Sequence, residues 1–400
     1  MNEKVRPRLL FVDDEPQVLK MLQLMLKSMS GEWDLEFAGD GADALSRMEA
    51  RSFDIIVSDM RMPGMNGAEL LNEVMKRHPR TARIILSGYA DEDLVMRCIG
   101  STHHYLVKPF DLALLKATLK RINTLNDRLN NESLRKLVGS IRCLPSVPEV
   151  YVQIIEALQQ PDCPIQSIAE MIARDVALTS KVLQLVNSAF FGFARNVASV
   201  DEAVQILGVG IVRSLALTVK VFAQFEGSSF TELSVDQVWH HSLRTGALAR
   251  KIAEAEHADG HVLDQSFTAG LLHDVGKLIL ATGYPDKYRE VLIEARDNGW
   301  GVFQLEQKAF KSTHAEVGGY LLGLWGLPTP LVEAVLLHHT PSASGATSFC
   351  PLTAVHVANV LAHEHLLPGS KSFLARLDSV HLTSAGLMDR VDSWRALIDG

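Results

Sequence analysis

The sequence predicts two dissimilar folded parts: an N-terminal α/β doubly wound five-stranded parallel sheet, followed by an all-α region. Three observations predict it. Up to about residue 122, short and nearly continuous apolar runs alternate with stretches whose apolar residues recur at helical spacing. Beyond the break LPSVP at 144–148 there is no β alternation of consequence, only helical text punctuated by Pro and Gly. Finally, 400 residues exceed one ordinary core and suit two or three.

In the first part, LLFVDDEP at 9–16 is a strand ending in acids and leads into a helix from Val18 onward. DLEFAG at 34–39 and GADALSRMEA at 41–50 make the second strand–helix unit. FDIIVSDMRMPGMNG at 53–67 makes the third: Ile55, Ile56 and Val57 are apolar on both faces, as in a strand covered on both sides, and Asp59 opens a Pro- and Gly-containing loop. RIILSG at 83–88 and HHYLVKPF at 103–110 supply the fourth and fifth strands. Asp13 and Asp14, Asp59, Ser87 and Lys108 then all close strands at one carboxyl edge, where such sheets place their chemistry. Three carboxylates together repel one another unless a hard cation such as Mg²⁺ shares the site. Asp59 is then a nucleophile toward a phosphoryl group, with Lys108 neutralising its oxygens and Ser87 donating to it. Each residue taken singly has a plainer role: a helix cap for Asp13 or Asp14, a turn for Ser87, a solvated charge for Lys108.

With these residues in place, 5–122 resembles the response-regulator receiver domain, a flavodoxin-like (CheY-like) fold. The resemblance rests on the Asp13–Asp14 pair, D-x-x-M-P-G at 59–64, Ser87, and K-P-F at 108–110. It implies phosphorylation of Asp59 by a sensor histidine kinase, Mg²⁺ in the pocket of Asp13, Asp14 and Asp59, and a switch in which Ser87 approaches the phosphate as Tyr105 turns inward.

From 112 to 137 apolar residues at Leu112, Leu115, Leu119, Ile122, Leu125, Leu129, Leu134 and Leu137 keep helical spacing past the end of a fifth receiver helix. This stretch is a signalling stalk, a homodimer-forming coiled coil or a packed helix. Helices follow near 149–160, 165–173, 175–188, 200–208, 210–224, 235–257, 263–280, 284–297, 301–323, 328–339 and 351–366. The helix–turn–helix spacing within 166–193 invites a DNA reading. Its would-be reading face, Thr179, Ser180, Gln184 and Asn187, has Lys181 almost alone as a phosphate partner, which makes core packing the expectation and direct DNA binding unlikely.

Histidines gather in the second half: His240–His241, His273–Asp274, His314 and His338–His339. Imidazole and carboxylate both ligate divalent cations, so His241, His273, Asp274, His314 and His338 or His339 would complete a shell if their helices converge, with Lys277 near enough to meet a phosphate. His240, His257, His261, His363 and His381 are read as buried packing residues. The region resembles the HDOD branch of the HD superfamily, over 140–365. The motifs are LPSVP, RDVALTSKVLQLVNSAFFG at 174–192, AVQILG at 203–208, WHHS at 239–242, GLLHDVGKL at 270–278, HAEVG at 314–318, WGLP at 325–328 and HHTP at 338–341. HDOD domains are regarded as mostly non-catalytic signalling modules. The resemblance also extends to HD and HD-GYP phosphohydrolases, which implies a metal site of His241, His273, Asp274, His314, His338 and His339 holding Fe, Mn or Zn. If the site is catalytic, Asp274 and Lys277 carry the chemistry on a nucleotide or cyclic-di-GMP. Two departures weigh against hydrolysis: Asn359 stands where a later aspartate is expected, and the GYP-type signature after His339 is missing.

A net charge of −8 with both signs interspersed offers no global attraction to nucleic acid or anionic lipid. Cys98, Cys143, Cys163 and Cys350 show no paired spacing, so neither a disulfide framework nor a zinc knuckle is expected. No signal peptide and no apolar stretch of membrane-spanning length is read, and a cytoplasmic location is expected. The expected organisation is a receiver at 1–122, a linker helix at 123–139, an HDOD output domain at 140–368 and a helical extension at 369–400. The expected function is a phosphorelay response regulator whose output domain binds a downstream protein or a nucleotide. A phosphorylation-regulated phosphohydrolase is the alternative.

Overall fold

The structure is a computed structural model of the chain. It describes residues 6–29, 31–78, 81–87, 104–108, 115, 116, 119, 134, 137, 138, 148–158, 164–187, 197–225, 232–325, 327–366 and 376–398, without the side chains of 28, 87, 104, 105, 107, 156, 365 and 366. The chain divides into two compact units, one of residues 1–146 and 323–326 and one of residues 147–322 and 327–400.

The first unit holds β1 (Arg8–Val12), α1 (Pro16–Met25), β2 (Asp34–Ala38), α2 (Gly41–Ala50), β3 (Ile55–Asp59), α3 (Gly67–Arg77), β4 (Ala82–Ser87) and β5 (His104–Val107). Its five strands are parallel, as the sequence predicts, and run in the order β2-β1-β3-β4-β5. All five β3 residues are buried. Removing side chains such as Ile55, Ile56 and Val57 from water contributes roughly 1.5–3 kcal/mol each, which places this strand at the centre. Asn66 and Glu69 form a reciprocal capping box at the start of α3, and Asp40 caps α2 through the Asp43 N–H. Strand order reverses between β1 and β3, so the ends of these two strands flank the crevice.

The second unit is helical throughout its described residues. Its helices are α4 (Glu149–Leu158), α5 (Ile165–Ala173), α6 (Val176–Val186), α7 (Val200–Ala223), α8 (Val235–Ala255), α9 (Gly260–Leu272), α10 (Val275–Gly283), α11 (Pro285–Asn298), α12 (Val302–Phe310), α13 (His314–Leu324), α14 (Thr329–Leu337), α15 (Pro351–Leu366), α16 (Ser379–Ser384) and α17 (Val391–Arg395). Helices α8, α9, α14 and α15 pack on one another, and α7 packs on α5, α6 and α9.

Three helix boundaries differ from expectation. The two helices at 200–208 and 210–224 run together, kinked where Gly208 takes φ 83°. The single helix at 263–280 is two, because Asp274 leaves helical geometry at φ −100°, ψ 4°. The helix at 301–323 is also two, broken by Lys311 in the left-handed region. The expectation of no apolar stretch of spanning length is corrected as well, since α7 is long and apolar enough to cross a membrane. It is a core helix: 56% of its most apolar window is buried, and Ser214 and Thr218 within it bond to the backbone one turn earlier.

The stretch 112–137 lies outside the described residues, apart from buried Leu115, Leu119, Leu134 and Leu137 and half-buried Lys116. The C-terminal helices pack back onto the second unit. Trp394, fully buried, donates from Nε1 to Glu256 at 2.9 Å, and Arg395 pairs with Glu364.

Candidate functional sites

At the carboxyl edge of the sheet, Asp13 follows β1 and Asp59 ends β3, on neighbouring strands; Val12 pairs with Ser58 in the ladder. Both acids are nearly buried, at 2% and 8% exposure, and Asp14 beside them is half-buried. Lys108 follows β5 and reaches across the sheet edge. Its Nζ lies 3.2 Å from Asp13 Oδ2 and pairs with Asp59 Oδ1. Lys108 is therefore not a solvated surface charge. Burial pushes its pKa down, but Asp59 and Asp13 outweigh that and hold it above the usual lysine value. The second oxygens are anchored by the chain itself: Glu15 N–H donates to Asp13 Oδ1 at 2.9 Å and Arg61 N–H to Asp59 Oδ2 at 2.8 Å. One ammonium facing three acids leaves an excess of negative oxygen, which suits a hard cation with oxygen ligands. Ser87 ends β4 opposite Val107, and Tyr105 pairs with Ile85. Their side chains, and with them the expected switch, lie outside the description.

The second site forms where six helices meet. His241 comes from the first turns of α8. His273 and Asp274 make the break between α9 and α10, and His314 begins α13. His338 and His339 follow α14, and Asn359 and His363 lie on α15. Gly276 permits the convergence: a Cβ there would run into the His314 carbonyl and the Gly318 N–H, so α10 approaches α13 backbone to backbone.

Two groups of ligating atoms result, His241, His273 and Asp274 in one and His314, His338 and His339 in the other, each with its atoms within 4.8 Å of one another. The Asp274 carboxylate stands between them. Its Oδ1 is 3.3 Å from His314 Nε2, while Oδ2 is 3.4 Å from His273 Nε2 and 3.9 Å from His241 Nε2. His273 and His338 each bond through Nδ1 to a carbonyl three residues back, Gly270 at 2.8 Å and Val335 at 2.7 Å. That sets the proton on Nδ1 and turns the Nε2 lone pair inward, and both Nε2 atoms are buried without a partner. A buried orphan nitrogen costs about 1–3 kcal/mol, and two aimed into one polar space fit a cation.

Burial pushes His273 down to about 4 and holds His338 and His339 well below the usual range. These rings are neutral, the form that ligates. For Asp274, burial opposes ionisation, but Lys277 and His314 outweigh it and keep the carboxyl well below its ordinary value.

Other residues depart from expectation. Lys277 does not stand open to a ligand: its Nζ bonds Asp274 Oδ2 at 2.6 Å. Asn359 Oδ1 sits 2.9 Å from His241 Nε2, so the amide engages the nitrogen that would face a metal. His240, His257 and His261 are exposed rather than buried. His381 is buried, as expected, and bonds Thr353 at 2.8 Å. His363 packs on the His241 ring at 4.3 Å between centroids, and burial pushes it down to about 3. Glu306, fully buried beneath His314, is not legible in the sequence, because a lone Glu in an amphipathic helix reads as solvated. On α6, the face read as core is instead exposed at Ser180, Lys181, Gln184 and Asn187. Asn187 spends its amide on Leu183 and Val197, and Thr179 its hydroxyl on Ile172.

Comparison with known proteins agrees with this division. The response regulator receiver domain model matches residues 9–120 and the HDOD domain model residues 144–341. The chain is 26% identical over 234 residues, 58% of its length, to an uncharacterized protein of Treponema pallidum (strain Nichols), of which the match covers 42%. It is 28% identical over 152 residues to the response regulator protein PilR of Pseudomonas aeruginosa, covering 34% of each chain. The chain thus spans less than half the length of these relatives. An HDOD domain protein of unknown function from Geobacter sulfurreducens superposes with a TM-score of 0.54 at 24% identity, covering 69% of this chain and 98% of that one, a likeness of fold. The chain therefore belongs to the response regulator receiver domains over residues 9–120 and to the HDOD domains over residues 144–341.

Proposed function

We propose that the chain is a phosphorelay response regulator in which Asp59 accepts a phosphoryl group from a histidine kinase and the HDOD unit carries the output. The observation that supports this is Lys108 bridging Asp13 and Asp59 at the carboxyl edge, with both acids anchored by backbone N–H groups. In the transfer, a carboxylate oxygen of Asp59 attacks phosphorus in line, the P–N bond to the kinase histidine breaks, and the imidazole leaves with a proton. Lys108 stands where it can pair with the phosphoryl oxygens as they gain charge. Mg²⁺, held by Asp13, Asp14 and Asp59, would offset the charge of the incoming group. Incubation of the full chain with acetyl phosphate and Mg²⁺ should add one phosphoryl group, read by intact mass, and Asp59→Asn should abolish it. Equal labelling of the variant would refute Asp59 as acceptor.

For the output, the reading is a metal-bearing binding module that contacts a downstream protein or a nucleotide. The orphaned Nε2 atoms of His273 and His338 beside Asp274 support it, and imidazoles joined by a carboxylate suit Fe, Mn or Zn. A second reading, a phosphorylation-regulated phosphohydrolase, draws on the Asp274 carboxylate between two histidine groups. Against it stand the neutral Asn359 on His241 and the Lys277 ammonium on Asp274, both of which lower the need for a second cation. Its signature would be nucleotide hydrolysis that disappears in Asp274→Ala.

A further inference from the structure

One buried acid beneath the histidine site is fully engaged. Glu306 lies on α12 with no exposure. Its Oε2 accepts two bonds from a single residue, the backbone N–H of His314 at 2.8 Å and the ring Nδ1–H of the same histidine at 2.6 Å. Its Oε1 accepts the Tyr288 hydroxyl at 2.8 Å, and Tyr288 is itself buried. A carboxylate only accepts, so the proton of the ring lies on Nδ1. Two bonds from one oxygen to two atoms of one residue close a ring that fixes the side-chain torsions of His314. Its Nε2 is thereby held 3.3 Å from Asp274 Oδ1 and 3.0 Å from His339 Nε2, the spacing of neighbouring ligand atoms on one metal ion.

Capping α13 explains only the bond to the His314 N–H, not the bonds to the His314 ring and the Tyr288 hydroxyl. Thr313 and Glu316 already form a reciprocal box there: Glu316 N–H donates to Thr313 Oγ1 at 3.2 Å, and Thr313 N–H donates to Glu316 Oε2 at 2.9 Å. Burying a carboxylate costs several kcal/mol, which an apolar residue on α12 would avoid.

We infer that Glu306, held in turn by Tyr288, is a positioning residue that orients His314 Nε2 for metal binding. The inference rests on the reading of the histidine cluster as a metal site. A metal ligand whose second nitrogen donates to a carboxylate is both oriented and made a stronger donor, and loss of such a partner weakens metal affinity about 10–100-fold. Glu306→Gln keeps the shape and removes the charge. Tyr288→Phe removes only the brace on Oε1 and should weaken binding by less.

The test is calorimetric titration of metal-free full chain with Mn²⁺ and, separately, Zn²⁺, for wild type, Glu306→Gln and Tyr288→Phe, beside thermal melts without metal. The expected result is an affinity loss on the order of 10–100-fold in Glu306→Gln, a smaller loss in Tyr288→Phe, and metal-free melting within a few degrees of wild type. A structural brace would instead lower the melt and leave affinity untouched. Wild-type affinity in Glu306→Gln overturns the inference and leaves the metal site standing. No binding by wild type overturns the metal site and this inference with it. If Glu306→Gln is unfolded without metal, Tyr288→Phe decides, and wild-type affinity there overturns the inference.

Discussion

Single residues in the second unit carry an acid sensitivity that follows from their burial. In the unfolded chain a histidine titrates near 6.5, whereas in the fold burial pushes His273 down to about 4 and His363 to about 3. Between those values the unfolded chain binds protons that the folded one refuses, so stability is complete above pH ~6.5 and falls as pH drops toward 4. Each pKa unit is worth about 1.4 kcal/mol, so His273 accounts for a few kcal/mol. His314 has the opposite sign: burial opposes its charge, but Glu306 and Asp274 raise its pKa, and its contribution is lost as pH rises through that value. Urea melts of metal-free protein should show marked loss of stability between pH 7.5 and 5, and less in His273→Gln. Equal loss in both would contradict the assignment. At this scale the receiver site was legible, because Asp13, Asp59 and Lys108 sit at the ends of apolar strands whose direction is fixed by the sheet. Glu306 and the Lys277–Asp274 bond were not, since only tertiary packing turns those side chains inward.

At the level of elements, strands were easier to read than helix ends. Runs such as Ile55–Val57 have few other fates. The breaks at Asp274 and Lys311 fall inside text that reads as helix, and neither is marked by Gly or Pro. Yet the first break creates the site, since it turns His273 and Asp274 out of the helix toward α13 and α14. Gly276 sets the distance. In Gly276→Ala the gain in helix propensity, about 1 kcal/mol, is opposed by a Cβ driven into the His314 carbonyl and Gly318 N–H, which shifts backbone rather than a pliant side chain. Net destabilisation of about 1–3 kcal/mol and weaker metal binding are expected. Gly260→Ala is the control, since a Cβ there meets nothing within 4 Å, and it should leave both unchanged. Identical behaviour of the two variants in denaturation and metal titration would sink the role given to the α10–α13 approach.

For the whole molecule, the proposed function links a phosphoacceptor in one unit to a binding site in the other. A response of this kind is a coupling free energy: phosphorylation shifts the equilibrium of the output unit only if its two states differ in how they meet the phosphorylated receiver. The order of the two domains was readable from the chain, because alternating strands and helices give way to helices alone after residue 148. The coupling between them was not, for it rests on populations of states rather than on pattern. It is tested most directly by hydrogen exchange of the full chain with and without beryllofluoride and Mg²⁺, in wild type and in Asp59→Asn. The expected result is altered protection in peptides of both units, including those carrying His273 and His338, in wild type alone. Changes confined to the receiver, or equal in Asp59→Asn, would contradict it.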